Sequence, residues 1–388
     1  MNRKQFGRRT QIALGLALML VAAISLSACG GGSSSSSSSS GETTTPASET
    51  SGSGSSGGGA LFEEEATVGY LAPSKTITRW FTQDIPDYEE EMEKFAPNVN
   101  ILTFQANGSV ATQLEQAKSA ITQGAKVLLV ASASSDQSGG LVSYANQNDV
   151  PVVVMERPIN NADTCCQIGS EPKEIGEVAG KWLLENTKEG DSIALIEGDP
   201  TDSFAVEYEK GEMKILEPAF ESGERELAAK VYTPEYLPEN AHKEMDAILT
   251  KTHDQVDAVD AFNDDMAQAV LSSLDRVGLA GKIPVKGIDG TLEGVQSIVQ
   301  GRETMTIFRP YQYQANKAAQ ATAYLLKGEE FPAGLFPLTL NNGTKEIPFA
   351  AAPSIVITQK DVGRLIKEGV YTKEEVCEGA EPGAAGIC

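Results

Sequence analysis

The sequence predicts an α/β fold built of two doubly wound parallel sheets. Several short runs, among them residues 127–130 and 152–155, are apolar at every position, which is typical of strands covered on both faces. These runs alternate with amphipathic stretches such as residues 111–122, where apolar side chains recur at helical spacing. Repeated strand–helix units of this kind wind into parallel sheets through right-handed crossovers.

Nine runs fit a strand pattern: residues 67–72, 99–104, 126–131, 151–155, 192–196, 229–233, 256–261, 283–288 and 304–308. One stretch between them, residues 162–173, has no clear periodicity. We therefore predict two sheets, with the chain crossing from the first to the second in that stretch.

The first residues resemble the export signal of a bacterial lipoprotein. A basic opening is followed by the apolar residues 12–24, by the small residues before Cys29, and by a Gly/Ser-rich run. The apolar part is too short to span a bilayer and fits a signal core. We expect residues 1–28 to be removed, Cys29 to carry lipid, and residues 29–61 to form a disordered tether. An ordinary cleaved signal with an incidental cysteine is the alternative.

The chain is strongly acidic, with a formal net charge of −23. Such a surface is repelled by nucleic acid and by anionic lipid head groups, so we predict neither as a partner. The expected location is outside the cytoplasm, anchored to the cell membrane through the lipid on Cys29 only.

Four further cysteines would lie in an oxidising environment. We expect Cys377 and Cys388 to close a loop at the end of the chain. Cys165 and Cys166 are adjacent, and they can pair with each other or with the tail cysteines, so three connectivities stay open. With two histidines in the whole chain, the sequence predicts no metal site.

Polar and aromatic residues follow nearly every predicted strand. In open α/β sheets the ligand lies beyond the carboxyl ends of the strands. Carboxylates accept hydrogen bonds from hydroxyl groups, arginine donates them, and aromatic rings cover the C–H faces of a sugar, so the pattern favours a polyhydroxylated ligand. The candidates at these strand ends are Arg79, Trp80, Phe81, Ser134, Glu156, Arg157, Asp202, Phe204, Asn263, Asp289 and Arg309.

Five segments carry a family resemblance: residues 155–163, 211–218, 236–241, 262–266 and 340–343. On these segments the chain resembles the periplasmic sugar-binding proteins of ABC importers, in the ribose-, xylose- and galactose-binding group. The segments Leu-Pro-Glu-Asn-Ala and Leu-Asn-Asn-Gly resemble the xylose-binding branch in particular. The resemblance extends over essentially the whole folded body.

The resemblance implies a periplasmic binding protein of type I, with two lobes joined by a three-strand hinge. The N-terminal lobe would comprise residues 62–170 and 310–342, and the C-terminal lobe residues 171–309 and 343–376, followed by a tail at 377–388. The lobes would close around a monosaccharide, which a monomeric receptor delivers to an ABC permease and its ATPase. Neither a cofactor nor catalysis is implied.

The resemblance also implies roles for individual residues. Arg157 would donate to ring or anomeric oxygens and Glu156 would accept from a hydroxyl. Asn263 and Asp289 would hold hydroxyls from the second lobe. Tyr236 stands where the family places an aromatic platform.

Other positions complete this site or depart from the family pattern. Trp80 or Phe81 would stack on the sugar from the first lobe, and Arg309 takes a hinge-side polar position where the xylose branch has lysine. Glu156 replaces the usual aspartate, and residues 74–75 replace a pair of aspartates. A hydrogen-bonding pocket rejects wrong hydroxyl patterns, so these changes leave the identity of the monosaccharide open.

Three other functions share features with this sequence. A sugar sensor for a chemotaxis or histidine-kinase partner would share the fold, and genomic neighbours would distinguish it. A glycoside-cleaving enzyme could use Glu156, Asp202, Asp264 or Asp289, but the sequence has no nucleophile elbow, phosphate loop or metal-ligand cluster. A DNA-binding repressor is excluded by the export signal and the acidic charge.

Overall fold

The computed structural model describes residues 60–388. The predicted signal at residues 1–28, Cys29 and nearly all of the predicted tether at 29–61 lie outside the described residues. Among residues 60–388, no helix combines the length and the apolar character needed to cross a membrane.

Two kinds of element make up the described chain. Its strands are β1 (Ala66–Ala72), β2 (Val99–Gln105), β3 (Ala125–Val130), β4 (Val152–Met155), β5 (Cys166–Gly169), β6 (Ser192–Glu197), β7 (Glu226–Tyr232), β8 (Ala258–Ala261), β9 (Val285–Asp289), β10 (Met305–Phe308), β11 (Leu338–Asn341), β12 (Glu346–Ala351) and β13 (Ile355–Ile357). Its α-helices are α1 (Ile85–Phe95), α2 (Val110–Thr122), α3 (Gly139–Gln147), α4 (Pro172–Glu185), α5 (Ser203–Ser222), α6 (Pro238–Thr252), α7 (Asp264–Val277), α8 (Leu292–Val299), α9 (Tyr311–Lys327), α10 (Val362–Lys367) and α11 (Lys373–Val376).

The strands form two sheets, and this confirms the predicted fold class. The first sheet has the order β11-β12-β5-β4-β3-β1-β2, and the second has the order β13-β10-β9-β8-β6-β7. Pairing is parallel except at one edge of each sheet, where β11 runs against β12 and β13 against β10. All nine predicted strands are present. Central strands such as β3 and β4 are buried on both faces, whereas β2 and β7 lie at sheet edges and are only partly buried.

Four strands were not predicted, and they fall where the apolar pattern is weak. β5 lies inside the aperiodic stretch 162–173. It was not predicted because its sequence, Cys-Gln-Ile-Gly, carries no continuous apolar run. β11 is largely exposed, and β13 is three residues long. β12 corrects the predicted lobe boundary at residue 342. It pairs with both β11 and β5 in the first sheet, so residues 346–351 belong with the N-terminal lobe.

In the described residues the chain passes between the sheets three times, after β5, after β10 and after β12. The helix α9 returns to the first sheet, where it packs on α1 and on β3, β4 and β5. We call the first sheet with its helices the N-terminal lobe and the second the C-terminal lobe.

Helix boundaries in the C-terminal lobe follow ordinary capping and packing chemistry. Asn263 begins α7 by accepting a hydrogen bond from the backbone N–H of Met266 at 2.9 Å, and Gly278 ends it in the left-handed conformation. The helices α4 and α5 cross in backbone contact, because a Cβ at Gly176 or at Gly211 would lie 2.0 Å from a carbonyl of the other helix.

The end of the chain packs on the C-terminal lobe. Cys377 and Cys388 form the disulfide that closes the predicted terminal loop. Cys165 and Cys166 are not bonded to each other or to the tail, and their sulfurs lie 2.9 Å apart. Among the described residues the chain therefore has one disulfide, Cys377–Cys388. The two predicted connectivities that pair Cys165 and Cys166 with the tail cysteines are excluded.

Candidate functional site

A small cavity lies between the lobes, at the carboxyl ends of the strands. Its volume is about 30 Å³. Its wall contains ten of the twelve predicted site residues: Arg79, Trp80, Glu156, Arg157, Asp202, Phe204, Tyr236, Asn263, Asp289 and Arg309. Ile77 and Phe262 complete the wall. Strand ends that are far apart in sequence therefore meet at one place, as the topology of two open sheets requires.

Arg79 is the most completely fixed charged residue of this wall. It is 1% exposed and precedes a short π-helical turn, Trp80–Asp84. Its Nε and Nη2 donate to the two carboxylate oxygens of Asp84 at 2.8 and 2.6 Å, a bidentate pair. Its guanidinium carbon lies 4.8 Å from the ring centroid of Tyr311. π-Helical turns are frequent at functional sites, and here the turn brings the two partners together.

Two arginines and three carboxylates form a buried network at the centre of the cavity. Arg79 Nη1 lies 3.1 Å from Asp289 Oδ1, and Arg79 Nη2 lies 3.5 Å from Glu156 Oε1. Arg309 donates to Glu156 Oε2 at 2.8 Å and also pairs with Asp289. Asp84 is the third carboxylate. Since Asp289 ends a strand of the C-terminal lobe and Arg79 belongs to the N-terminal lobe, the network joins the two lobes.

Burial and pairing act in opposite directions on the charged groups of this network. Burial alone would lower the pKa of Arg79, but Asp84, Asp289 and Glu156 raise it above its ordinary value. Arg309 behaves in the same way, with Glu156 as its strongest neighbour. Burial raises the pKa of Asp84, and Arg79 opposes this rise. The guanidinium groups therefore stay charged and hold fixed donor positions.

A second polar group lines the other side of the cavity. Arg157 Nε lies 3.1 Å from Asp202 Oδ2, and its guanidinium covers the ring of Tyr236 at 4.7 Å. The hydroxyl of Tyr236 donates to the same Asp202 oxygen at 2.8 Å. Asp202 also caps α5 by accepting from the backbone N–H of Phe204. One aspartate thus fixes an arginine, a tyrosine and a helix start.

Several buried polar atoms at the cavity have no hydrogen-bond partner within the described residues. They are three donors on residues of the cavity wall: Trp80 Nε1, Asn263 Nδ2 and Arg309 Nε. Buried polar atoms in proteins are nearly always paired, and leaving one unpaired costs about 1–3 kcal/mol. Three such donors on the residues of one cavity wall indicate a site that can hydrogen-bond a bound molecule.

Further hydrogen bonds join the lobes around the cavity. The backbone N–H and the hydroxyl of Thr78 donate to the carboxylate of Asp265, each at 2.9 Å. Asn160 donates to the hydroxyl of Ser203 at 2.8 Å, and the backbone N–H of Ser203 donates to Ser135. Burial raises the pKa of Asp265 to about 6, although the bonds from Thr78 lower it. The structure is thus one in which the lobes are closed on each other.

Two predicted site residues do not reach the cavity. Successive residues of a helical turn point about 100° apart, so Trp80 faces the cavity while Phe81 is half-buried against the hydrophobic core. Ser134 lines a separate outer depression together with Arg157 and Glu235. Both predictions rested on position after a strand, which does not fix the direction of a side chain.

Sequence reasoning also missed two residues that hold the site together. Asp84 lies on the π-helical turn that no pattern indicated. Gln314 donates to Glu156 Oε1 at 2.5 Å from the first turn of α9. Its one available signal was its spacing of three from Tyr311, which places both on one helix face beside the strand end at Arg309.

Comparison with known proteins identifies the family. Residues 68–330 match the family described as periplasmic binding protein domain. The chain belongs to this family. It is 30% identical over 314 residues to the D-xylose-binding periplasmic protein of Escherichia coli (strain K12), a match that covers 81% of this chain and 93% of the relative. The D-xylose-binding periplasmic protein of Haemophilus influenzae is 29% identical over 314 residues, covering 81% and 92%.

A solved structure agrees with this placement. The carbohydrate transporter solute-binding protein of Chloroflexus aurantiacus, in complex with D-glucose, superposes with a TM-score of 0.73 at 22% identity, covering 80% of this chain and 98% of that one. The likeness shows the fold. Membership of the periplasmic binding protein family makes this chain a binding protein rather than an enzyme, and places it outside the cytoplasm.

Proposed function

We propose that this protein captures a neutral monosaccharide in the cavity between its lobes and delivers it to an ABC permease with its ATPase. The observation that carries the proposal is the set of three unpaired buried donors on Trp80, Asn263 and Arg309, in a cavity wall that also holds the carboxylates of Glu156, Asp202 and Asp289. Donors and acceptors on one wall suit a ligand whose hydroxyl groups both accept and donate.

The charges at the site favour a neutral ligand. The two guanidinium groups of the central network face the three carboxylates of Asp84, Glu156 and Asp289, so no excess of positive charge is available for a phosphate or a sugar acid. The oxygens of these carboxyl groups can accept hydrogen bonds from hydroxyl groups. The rings of Trp80 and Tyr236 supply flat apolar surface for C–H faces.

The relatives support a single sugar ring. Two relatives, at 30% and 29% identity, are named for D-xylose, so a pentose of xylose type or a related monosaccharide is the proposed cargo. Glu156 reaches one methylene farther than the aspartate common in the family, which favours a hydroxyl pattern different from that of xylose.

Closure of the lobes is the proposed functional motion. The three passages of the chain between the sheets would act as the hinge, and the bonds from Thr78 to Asp265 and from Asn160 to Ser203 would form as the lobes meet. A ligand that pairs with groups of both lobes favours the closed state by its differential affinity for that state. The closed pair of lobes would present one continuous surface to the permease.

We also propose that the receptor is held at the membrane by lipid on Cys29, with residues 29–61 as a flexible tether. Such a tether raises the effective concentration of the receptor near the permease. Intact-mass measurement of the protein from its native membrane tests this: acylated Cys29 at the first position is expected. Recovery of an unmodified chain from the soluble fraction would contradict it.

A ligand screen tests the main proposal. The chain without residues 1–28, carrying Cys29→Ser, is heated with pentoses, hexoses, polyols and purine nucleosides. A ligand that binds only the folded state raises the melting temperature by an amount that grows with its concentration over Kd. We expect one or two monosaccharides to do so. A shift with nucleosides alone, or with none of these compounds, would overturn the sugar assignment.

A further inference from the structure

The turn at the end of β9 holds one of the site carboxylates in a strained backbone conformation. Asp289 has φ of +110° and Gly290 follows with φ of +69°. Residues other than glycine rarely adopt positive φ, and those that do cluster at functional sites. Because the carboxylate of Asp289 meets Arg79 and Arg309 from this position, its direction depends on the strained turn.

Three side chains hold this turn by hydrogen bonds. The hydroxyl of Tyr311 donates to the carbonyl of Asp289. The hydroxyl of Tyr371 donates to the carbonyl of Gly290 at 2.8 Å, and the N–H of Gly290 donates to the hydroxyl of Thr306 at 3.0 Å. Each bond engages a backbone group beside the strained residue, so together they oppose its relaxation to negative φ.

Tyr371 belongs to the C-terminal segment that follows α10. It lies beyond residues 68–330, which match the family, and it does not line the cavity. It is 5% exposed in a hydrophobic cluster with Val295, Val299 and Val376. The side chain of Gln296 donates to the carbonyl of Glu375 at 2.8 Å, which ties the same C-terminal segment to α8.

We propose that Tyr371 is a positioning residue for ligand binding, acting through Asp289. This inference rests on the proposed function. Without the hydroxyl of Tyr371 the turn relaxes more readily, and the carboxylate of Asp289 leaves the cavity in a larger fraction of molecules. Measured affinity falls in proportion to the fraction that stays binding-competent. The C-terminal segment is therefore part of the binding apparatus although it touches no ligand.

The first test is Tyr371→Phe, which removes one hydroxyl and keeps the ring. Calorimetric Kd is measured for the sugar found in the screen, at a temperature where the variant is fully folded. We expect Kd to rise by about five- to tenfold, the size of one buried hydrogen bond. The matched control is Tyr88→Phe, since Tyr88 is also fully buried and donates to Thr322 at 3.1 Å in the other lobe. It should lose similar thermal stability and keep Kd.

Two further measurements separate positioning from general stability. In the background Asp289→Asn, the effect of Tyr371→Phe on Kd should largely disappear, because residues that act through one another are not additive. Tyr311→Phe is the second variant, and it should raise Kd in the same direction. An unchanged Kd in Tyr371→Phe, or an effect that persists in full with Asp289→Asn, would overturn the inference.

Hydrogen exchange tests the same inference without any ligand. Tyr371→Phe should speed exchange in the peptide containing residues 289–291, and Tyr88→Phe should not. If no sugar binds the wild type, the proposed function fails, and faster exchange in Tyr371→Phe would still support the role of Tyr371 at the turn. Unchanged exchange there would overturn that role independently of the ligand.

Discussion

Two buried networks of charged side chains, a short distance apart, differ in how their charges are balanced. The network at the cavity has the guanidinium groups of Arg79 and Arg309, each paired with two or more carboxylates. The network inside the C-terminal lobe has one cation, Lys286, which pairs with Asp260 at 2.7 Å. Two further carboxyl groups, on Glu197 and Glu212, are buried near this pair, and within residues 60–388 neither forms an ion pair of its own.

The difference shows in the protonation of the second network. Both side-chain oxygens of Glu212 and one of Glu197 lack a partner within the described residues when both are charged. Burial, reinforced by Asp260, raises the pKa of Glu197 to about 8 and that of Glu212 well above its usual range. Burial therefore favours the neutral form of these two groups, which can donate hydrogen bonds. The comparison teaches that a site for hydroxyl groups needs enough cations to keep its carboxylates charged as acceptors.

Removing Arg79 should have the largest effect, because it leaves buried Asp84 without a cation and leaves Glu156 and Asp289 with Arg309 alone. Arg79→Ala is expected to lower the free energy of unfolding by about 3–5 kcal/mol and to abolish sugar binding. Denaturant titration and calorimetry measure the two effects. The control is Arg276→Ala, an exposed arginine paired with Asp246, which should change stability by less than about 1 kcal/mol. Retained binding in Arg79→Ala would contradict the central role of the network.

Removing Lys286 should separate stability from binding. Lys286→Met leaves Asp260 buried without its cation, so we expect a loss of about 3 kcal/mol in the free energy of unfolding. Since Lys286 does not line the cavity, Kd should stay within about twofold of the wild type when measured on folded protein. A large loss of affinity would show that the two networks are coupled, and would break the distinction between them.

The pH dependence of the free energy of unfolding should reflect the raised pKa of Glu197. The native state keeps a proton on Glu197 up to a pKa of about 8, whereas an unfolded chain releases it near 4.3, so stability falls as pH rises between these values. The fall contributed by one such group is about 1.4 kcal/mol per pH unit at most. Glu197→Gln cannot ionise and should flatten the decline between pH 5 and about 8.

Other buried carboxyl groups set the residual slope in that experiment. Burial raises the pKa of Glu212 well above its usual range and those of Asp264 and Asp265 to about 7 and about 6, and all three remain in the variant, so the decline with pH should weaken without vanishing. Denaturant titrations at four values of pH, on the wild type and on Glu197→Gln, give the difference directly. Parallel curves for the two proteins would show that Glu197 is ionised in the native state at neutral pH.

The smallest expected effects come from two tyrosines that contact the same phenylalanine, Phe262. Tyr236 lines the cavity, and Tyr208 belongs to the network of Lys286. Tyr236 and Tyr208 lie with ring centroids 5.2 and 5.1 Å from that of Phe262. Their hydroxyls donate to Asp202 at 2.8 Å and to Asp260 at 2.7 Å. Replacing either by Phe should cost about 1 kcal/mol of stability. Only Tyr236→Phe should raise Kd, by a few-fold. Equal effects of the two variants on Kd would contradict the assignment of Tyr236, and not Tyr208, to the binding site.

The sequence could predict the elements and the wall of the cavity because both depend on short patterns. Apolar runs such as β3 and β4 mark strands covered on both faces, and the residue after a buried strand must lie at the ligand edge of the sheet. This rule correctly brought Glu156 and Asp289 together, although they are far apart in the chain.

What could not be predicted depends on direction and on long-range packing. The rule placed Phe81 at the cavity, but the π-helical turn that points it away has no sequence signal. Glu212 lies on a helix where glutamate is common at the surface, and only the crossing of α4 and α5 buries it. The contact of Tyr371 with Gly290 joins residues 81 apart and follows no local pattern.

The position of Trp80 has a practical consequence. The chain has two tryptophans, and only Trp80 lines the cavity, with its ring 5.2 Å from the guanidinium of Arg79. Trp182 lies on α4 in the C-terminal lobe. Indole emission is sensitive to nearby charge and to polar contacts, so a bound sugar should change the fluorescence of Trp80 and leave that of Trp182 as a constant background. The molecule thus carries its own optical probe of occupancy, with no added label.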